Sequence, residues 1–211
     1  MDEDLDEILE DIGDLLGGSD ADPLLPDPDL LMFYKNLKRR EIWLDDSIGI
    51  KSLSISRIIM DFNKKDEGIP VEERKPIKIF IYSYGGEVSA CFNLIDTITT
   101  SKTPVYTYNM GVAMSAAFFI LIAGHKRFAT RFSTALIHSG TGGAKGTFEQ
   151  TEAQMKDYKH SIEVIREYTL QKTKIDQKLF NKNKSVEWYI YSDDQLKYGI
   201  IDKIIDSSED Y

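Results

Sequence analysis

Cysteine is almost missing from this 211-residue sequence, in which Cys91 is the single example. One cysteine cannot form an internal disulfide, and its place on the apolar face of a predicted helix indicates packing rather than a secreted framework or a metal site. Long apolar runs are also missing, because the run from Ala116 to Ala123 is far shorter than the about 20 residues that span a bilayer. The beginning, MDEDLDEILED, lacks the basic region of a signal peptide. We therefore expect a cytoplasmic protein with no metal, cofactor or membrane partner.

Basic residues are absent from the first 34 positions, which carry twelve acidic residues. The rest of the chain has 23 acidic and 26 basic residues, so its formal charge is +3 although the whole chain has −9. Within these positions, apolar residues recur at helical spacing, and the linker GGSDADPLLPDPD follows them. The apolar residues are Leu5, Ile8, Leu9, Ile12, Leu15 and Leu16. We expect residues 1–31 to form an acidic tail and 32–211 one α/β domain. The tail is either mostly disordered or an amphipathic helix that docks on a partner or plugs a basic pore.

Histidine is scarce too, with three examples, which limits the choice of a general base. His125 precedes Lys126 and Arg127, and this stretch is expected to be a solvated loop. His160 is expected in a strongly charged, exposed helix. His138 instead ends the apolar strand FSTALIH and precedes the flexible SGTGG, so its ring can face a cleft. Taken alone, however, a histidine at a strand end is more often structural.

A candidate nucleophile lies at the start of the apolar run. Gly111, Ser115 and the run from Ala116 to Ala123 predict a strand, a tight turn and a buried helix that has Ser115 at its N-terminus. The unpaired N–H groups and the dipole at that end can stabilise negative charge on a carbonyl oxygen during acyl transfer. Ser115 is either this nucleophile or an ordinary helix N-cap, and spacing alone favours the cap.

A second turn of interest lies upstream, in IKIFIYSYGGEVSACFNLIDTI. The pattern predicts a strand from Ile77 to Tyr82, a turn at Gly85 and Gly86, and an amphipathic helix from about Glu87. Glycines at such a turn let the backbone approach a ligand closely. Taken by itself, the pattern favours an ordinary turn.

Four motifs together resemble, in order and spacing, the ClpP family, the proteolytic subunits of the Clp protease: YSYGG, GVAMSAAFFILIAG, ALIHSGTGG and YGIIDKI. The resemblance covers roughly residues 33–205. It implies a crotonase-like (ClpP-type) spiral of βαβ units with a protruding handle helix, whereas periodicity alone indicates only an α/β fold. It also implies that Ser115 is the nucleophile, that His138 is the general base, and that the N–H groups of Gly86 and Ala116 form the oxyanion hole.

In the family, an aspartate that orients the histidine completes a catalytic triad with the serine and the histidine, and here the sequence departs from the family. Counting back from YGIID, the family's aspartate position falls on Glu187, which is longer by one methylene but can still orient an imidazole. Asp193 and Asp194 are alternatives, and Glu187 as a solvated residue at a helix start is another. Two further departures, at Tyr84 and at Ser139–Gly140, concern the geometry of the peptide groove.

The resemblance makes the GTGGAKG stretch a flexible strand along one wall of this groove. Substrate would bind there as an added β-strand, next to Gly85, Gly142 and Gly143. The segment 148–174 is predicted to be a long charged helix, the handle, with one apolar stripe that no element obviously covers: Met155, Tyr158, Ile162 and Ile165. In the family the handle interleaves between two rings, although packing on its own core explains the stripe as well.

The function implied is an ATP-independent serine endopeptidase core that cleaves unfolded polypeptides or short peptides inside two stacked heptameric rings. A separate AAA+ unfoldase would supply substrates, because the chain has no G-x-x-x-x-G-K-[ST] loop. We consider two alternatives. Glu187 and Tyr84 suggest a catalytically weak paralogue that builds mixed rings. A crotonase-fold acyl-CoA enzyme is the other, and it is disfavoured because its chemistry needs no serine and histidine at these positions. No nucleic-acid partner is expected.

Overall fold

The computed structural model describes residues 27–208. The predicted apolar positions of the tail, from 5 to 16, lie outside the described residues. The chain divides into a first unit that ends at Glu41 and a second that begins at Ile42. The boundary that the sequence predicts, after residue 31, stays a prediction.

The first unit contains helix α1 (Pro28–Lys38), whose start at Pro28 has a local cause. The Asp27 carboxylate caps the helix by accepting a hydrogen bond from the Asp29 N–H at 3.0 Å, and Pro28 has no N–H that needs a partner. The helix has no buried residue within this unit.

Strands and helices alternate over most of the remaining chain, with two exceptions. The strands are β1 (Glu41–Leu44), β2 (Ile77–Ser83), β3 (Val105–Met114), β4 (Lys126–Thr130), β5 (Thr134–Ile137), β6 (Trp188–Tyr191) and β7 (Lys203–Ile205). The helices are α2 (Leu53–Lys65), α3 (Val88–Thr100), α4 (Ala116–Ala123), α5 (Phe148–Lys172), α6 (Gln177–Asn183) and α7 (Ser192–Lys197). The exceptions are β5, which directly follows β4, and α6, which directly follows α5.

Strand β3 organises the sheet because it is long enough to have different neighbours along its length. The sheet runs in the order β1-β2-β3-β4-β7, and β5 joins β3 to β6. The first half of β3 pairs in parallel with β4 at residues 106–109, and the second half pairs in parallel with β5 at residues 112–114. The predicted α/β class is confirmed, with parallel strands joined through helices.

The turn predicted at Gly111 is wrong. Strand β3 continues through Gly111 to Met114, and Ser115 is the first residue after it. Gly111 has φ 150°, and a Cβ at that position would lie 2.9 Å from the Tyr82 ring on β2. Glycine is therefore required by close packing between two strands rather than by a turn.

Helix α4 forms the centre of the core. All eight of its residues are buried, as expected for a helix that is apolar on every side. It packs against α3, α5 and β3. Across residues 27–208, no helix is both long enough and apolar enough to cross a membrane.

The loop predicted around Lys126 and Arg127 is also wrong, since both residues belong to β4. The sequence pattern does not predict this strand, because it begins with two charged residues. Arg127 fits because its guanidinium reaches partners on three sides: Nη2 and Nε donate to Asp202 at 2.6 and 3.1 Å, and Nη1 donates to the carbonyls of Lys172 and Gly199 at 2.9 and 2.8 Å. Arg127 thus joins β4 to the end of α5 and to the segment that leads into β7.

We predict that Arg127→Met destabilises the protein by about 3 kcal/mol, or about 6–12 °C in Tm, because two carbonyls and a carboxylate lose their charged donor. Thermal unfolding followed by circular dichroism measures the change. Arg131→Met is the matched control: its pair with Asp193 has side chains 56% and 83% exposed, so we expect a loss below about 1 kcal/mol. Equal shifts in the two variants would contradict this account of Arg127.

Candidate active site

Ser115 lies between β3 and α4 in a backbone conformation that is unusual for a residue with a side chain, with φ 54°. Its N–H donates to the carbonyl of Leu136 on β5 at 3.0 Å, and its carbonyl accepts from the N–H of Phe118 at 3.0 Å. Its hydroxyl makes no capping bond to α4. The N-cap position is confirmed, but the side chain is free to serve another purpose.

That hydroxyl contacts a histidine. The Oγ of Ser115 lies 2.8 Å from Nε2 of His138, which directly follows β5. Because β3 and β5 pair in parallel with Met114 opposite Leu136, the residues after their ends lie side by side. With its ring proton on Nδ1, His138 accepts the serine hydroxyl at Nε2. The predicted position of His138 at a strand end is confirmed.

The other two histidines lie elsewhere. His125 is exposed, and its Nδ1 lies 3.1 Å from the N–H of Val105 at the start of β3. His160 is exposed on α5. Within the described residues, His138 is therefore the histidine that contacts Ser115.

The two residues predicted to form the oxyanion hole, Gly86 and Ala116, line the same cavity as Ser115. Ala116 is the first residue of α4, where N–H groups have no partner within the helix. Gly86 belongs to the turn after β2, and a Cβ on it would overlap the carbonyl oxygen of Ile48. A Cβ on Gly85 would lie 2.7 Å from the Met114 carbonyl oxygen and 2.8 Å from Cβ of Ser115. Only glycines let this turn come so close to the serine.

A cavity of about 520 Å³ opens beside the serine, within the range of about 300–1,000 Å³ that is usual for ligand pockets. Its walls include the serine, the histidine and both predicted oxyanion residues: Ser115, His138, Gly86 and Ala116. Apolar side chains form much of the rest, among them Val88, Phe119, Ile137, Ile162, Ile165 and Phe180. The cavity can therefore hold an organic group next to the Ser115 hydroxyl.

Cys91 also lines this cavity, but as a packing residue. It is 1% exposed, and its thiol donates to the carbonyl of Ala116 at 3.2 Å. Burial raises the pKa of the Cys91 thiol to about 12, so at neutral pH it stays protonated and is a poor nucleophile. Ser115 is thus the better nucleophile of the two.

Glu187 lies in register with His138 but is bonded elsewhere. Strand β6 pairs antiparallel with β5, and the ladder ends where Trp188 lies opposite Ile137. Glu187 and His138 are the residues that adjoin this last pair, so one further step of the ladder would place them opposite each other. Directly opposed residues have Cβ atoms about 4.5–5.5 Å apart. The Glu187 carboxylate, however, accepts a hydrogen bond from the Tyr189 hydroxyl at 2.9 Å. Within residues 27–208 no hydrogen bond joins Glu187 to His138.

The two alternative carboxylates have partners on the surface. Asp193 accepts from Arg131 at 2.8 Å, and Asp194 lies 3.9 Å from Nζ of Lys197 on the same short helix. Neither is in register with His138. Glu187 is therefore the better placed candidate.

The stretch GTGGAKG is not a strand, which corrects the prediction. Residues 138–147 have no regular structure in the described part of the chain. The stretch is fixed at its start, where the Tyr158 hydroxyl donates to the Ser139 carbonyl at 3.0 Å and a Cβ on Gly142 would lie 3.2 Å from the Tyr158 ring. Ser139, Gly140 and Thr141 line the cavity, whereas Gly143 has open space around it.

The predicted long helix is confirmed as α5, but its apolar stripe is partly covered. Tyr158, Ile162 and Ile165 are half-buried and line the cavity. The expectation that no element covers the stripe is wrong for these three residues. Met155 (45% exposed) and Phe148 (76%) remain on the surface.

The sequence of the chain matches the family model described as Clp protease over residues 34–208. The chain belongs to the Clp protease family. It is 33% identical to the ATP-dependent Clp protease proteolytic subunit 2 of Treponema denticola over 186 residues, which is 87% of this chain and 90% of that protein. It is 28% identical to the ATP-dependent Clp protease proteolytic subunit of Deinococcus radiodurans, over 85% of this chain and 86% of that protein.

The fold of this Clp protease family member agrees with that of a solved relative. A mutant of ClpP1 from Listeria monocytogenes superposes with a TM-score of 0.72 at 22% identity, covering 84% of this chain and 98% of that one. The predicted family and the ClpP-type α/β fold are confirmed. The family is one of peptidases, and the relatives named above are proteolytic subunits.

Two residues near the site were not singled out from the sequence. Tyr189 lies two positions after Glu187, on the same face of an extended chain, so strand periodicity could have found it. Arg166 lines the cavity four residues after Ile162, so helical spacing from the apolar stripe could have found it. Among the described residues, no group of three or more His, Cys, Asp or Glu side chains is placed to hold a metal ion.

Proposed function

We propose that the protein is a serine endopeptidase that cleaves unfolded polypeptides or short peptides. The observation that carries this proposal is the contact of 2.8 Å between Ser115 Oγ and His138 Nε2 at the first turn of a buried helix. A nucleophile needs a base within hydrogen-bond reach and donors for the developing oxyanion. The contact with His138 supports the first role, and the presence of Gly86 and Ala116 in the same cavity wall supports the second.

The reaction would proceed in two stages. His138 takes the proton of the Ser115 hydroxyl as Oγ attacks the carbonyl carbon of the substrate, and the N–H groups of Gly86 and Ala116 donate to the resulting oxyanion. The imidazolium then protonates the leaving amine, and an acyl-enzyme on Ser115 remains. Water, activated by His138, hydrolyses that ester and restores the serine.

Glu187 would be the third member of the triad. Its position at the end of the β5–β6 ladder, next to His138, supports this role. To reach Nδ1 of the ring, the Glu187 side chain would have to change its rotamer and give up its hydrogen bond with Tyr189. Bound there, it would hold the ring proton on Nδ1 and stabilise the imidazolium. An extended substrate would lie along Gly85 and the loop that contains Gly142 and Gly143, held by main-chain hydrogen bonds.

Assembly and a partner would complete the activity on proteins. Two stacked rings of seven subunits would form a closed compartment into which the active-site cavity of each subunit opens. A Clp ATPase of the AAA+ type would feed unfolded chains into this compartment. The names of the relatives, which are subunits of ATP-dependent proteases, support this proposal. A mixed ring, in which this chain is a catalytically weak paralogue, is the second candidate, favoured by the Glu187–Tyr189 bond.

The first test removes the nucleophile. Ser115→Ala should lower kcat/KM on a short fluorogenic peptide by about 10⁴-fold or more, because loss of a triad serine leaves only binding and the oxyanion donors. Ser161→Ala, which changes another serine of the cavity wall, is the control and should keep most of the activity. A Ser115→Ala variant as active as the wild type would remove Ser115 from the mechanism.

The second test concerns the orienting carboxylate. Glu187→Gln should keep the fold but lower kcat by roughly a thousandfold, because the ring loses the acceptor that fixes its tautomer. Tyr189→Phe removes the competing donor and should leave kcat unchanged or raise it. A Glu187→Gln variant with wild-type kcat would exclude the role of Glu187, and a slow Asp193→Asn or Asp194→Asn variant would then identify its replacement.

The third test concerns assembly. Light scattering should give a mass near fourteen times the 24.1 kDa of one chain. Met155→Glu should yield smaller species, because an unpaired charge in an apolar interface costs several kcal/mol. Ala153→Glu places the same charge on another side of α5 and serves as the control. A fully active monomer would contradict the ring proposal.

A further inference from the structure

The wall that α5 contributes to the cavity contains one arginine among apolar residues. Ile162 and Ile165 face the cavity from this helix, and Arg166 follows them into the same wall. Phe119 and Phe180 line it from other helices. A permanently charged group in such surroundings restricts which side chain can enter.

The guanidinium of Arg166 is incompletely bonded. Its side chain is 33% exposed, and its Nε is buried without a hydrogen-bond partner among the described residues. Nη2 lies 3.7 Å from the Glu167 carboxylate, whose own side chain is 73% exposed. Arginine keeps its charge at neutral pH, so the exposed part of this side chain can donate to an acceptor on a ligand.

Two other charged residues, Glu163 and Lys184, line the cavity, and both are exposed. Glu163 precedes Arg166 by three residues but forms no ion pair with it in the described part of the chain; the pair that forms is with Glu167. The cavity therefore carries two cationic groups and one anionic group. The complement of a guanidinium is a carboxylate, which accepts two parallel N–H bonds.

We infer that Arg166 makes this pocket selective for an acidic side chain, glutamate or aspartate, on the substrate residue whose carbonyl Ser115 attacks. This inference rests on the proposed peptidase function. Arg166 and Ser115 line one cavity, and the proposal therefore places the side chain nearest to the attacked carbonyl against Arg166. The aliphatic part of a glutamate packs on Ile162 and Ile165 while its carboxylate bonds the guanidinium.

The test compares three fluorogenic peptides that differ only at that residue, with Glu, Gln or Leu. At pH 7 the wild type should cleave the Glu peptide with a kcat/KM about tenfold or more above that of the Gln peptide, because the Glu peptide supplies a charged acceptor. Arg166→Met should abolish this ratio while it keeps or raises cleavage of the Leu peptide. Lys184→Met, which removes the other cation of the cavity wall, should leave the ratio unchanged.

Several results would overturn the inference. If the wild type cleaves the Glu peptide no faster than the Gln peptide, the inference fails without any variant. It also fails if the preference for Glu over Gln persists in Arg166→Met or disappears in Lys184→Met. If the wild type cleaves the Leu peptide but not the Glu peptide, this inference fails and the peptidase stands. If the wild type cleaves none of the three, both fail.

Discussion

The site depends on one parallel pairing, that of β3 with β5. The bond from the Ser115 N–H to the Leu136 carbonyl, 3.0 Å long, continues that ladder past the end of β3. It holds the serine at φ 54°, a conformation that costs a residue with a side chain about 1–3 kcal/mol. The same pairing carries β5 forward to His138, so one ladder sets both the strain and the contact of 2.8 Å.

The rest of the fold supports this ladder from three sides. The fully buried α4 fixes the direction of the chain after Ser115. The glycine turn after β2 packs so closely on the Met114–Ser115 segment at Gly85, and on Ile48 at Gly86, that neither glycine tolerates a Cβ. Strand β6 pairs with the other edge of β5 and brings Glu187 into register with His138. The site therefore draws on residues from distant parts of the sequence.

The sequence alone predicted most helices and strands, because apolar periodicity is a local signal. It also singled out Ser115 by its place before an apolar helix, and His138 because the chain has few histidines to choose from. It failed where packing decides. The length of β3 beyond Gly111 depends on contact with Tyr82, and β4 depends on the partners of Arg127, which lie far away in the chain. Side-chain choices such as the bond between Glu187 and Tyr189, and the incomplete bonding of Arg166, depend on three-dimensional neighbours that no spacing reveals.

The central claim is that His138 activates the Ser115 hydroxyl, and covalent labelling tests it most directly. The intact protein is treated with a serine-directed fluorophosphonate, digested and analysed by mass spectrometry. We predict one stable adduct, on Ser115, and its loss in a His138→Ala variant that still folds. Absence of an adduct on Ser115 in the wild type, or equal labelling of Ser115 without His138, would contradict the account.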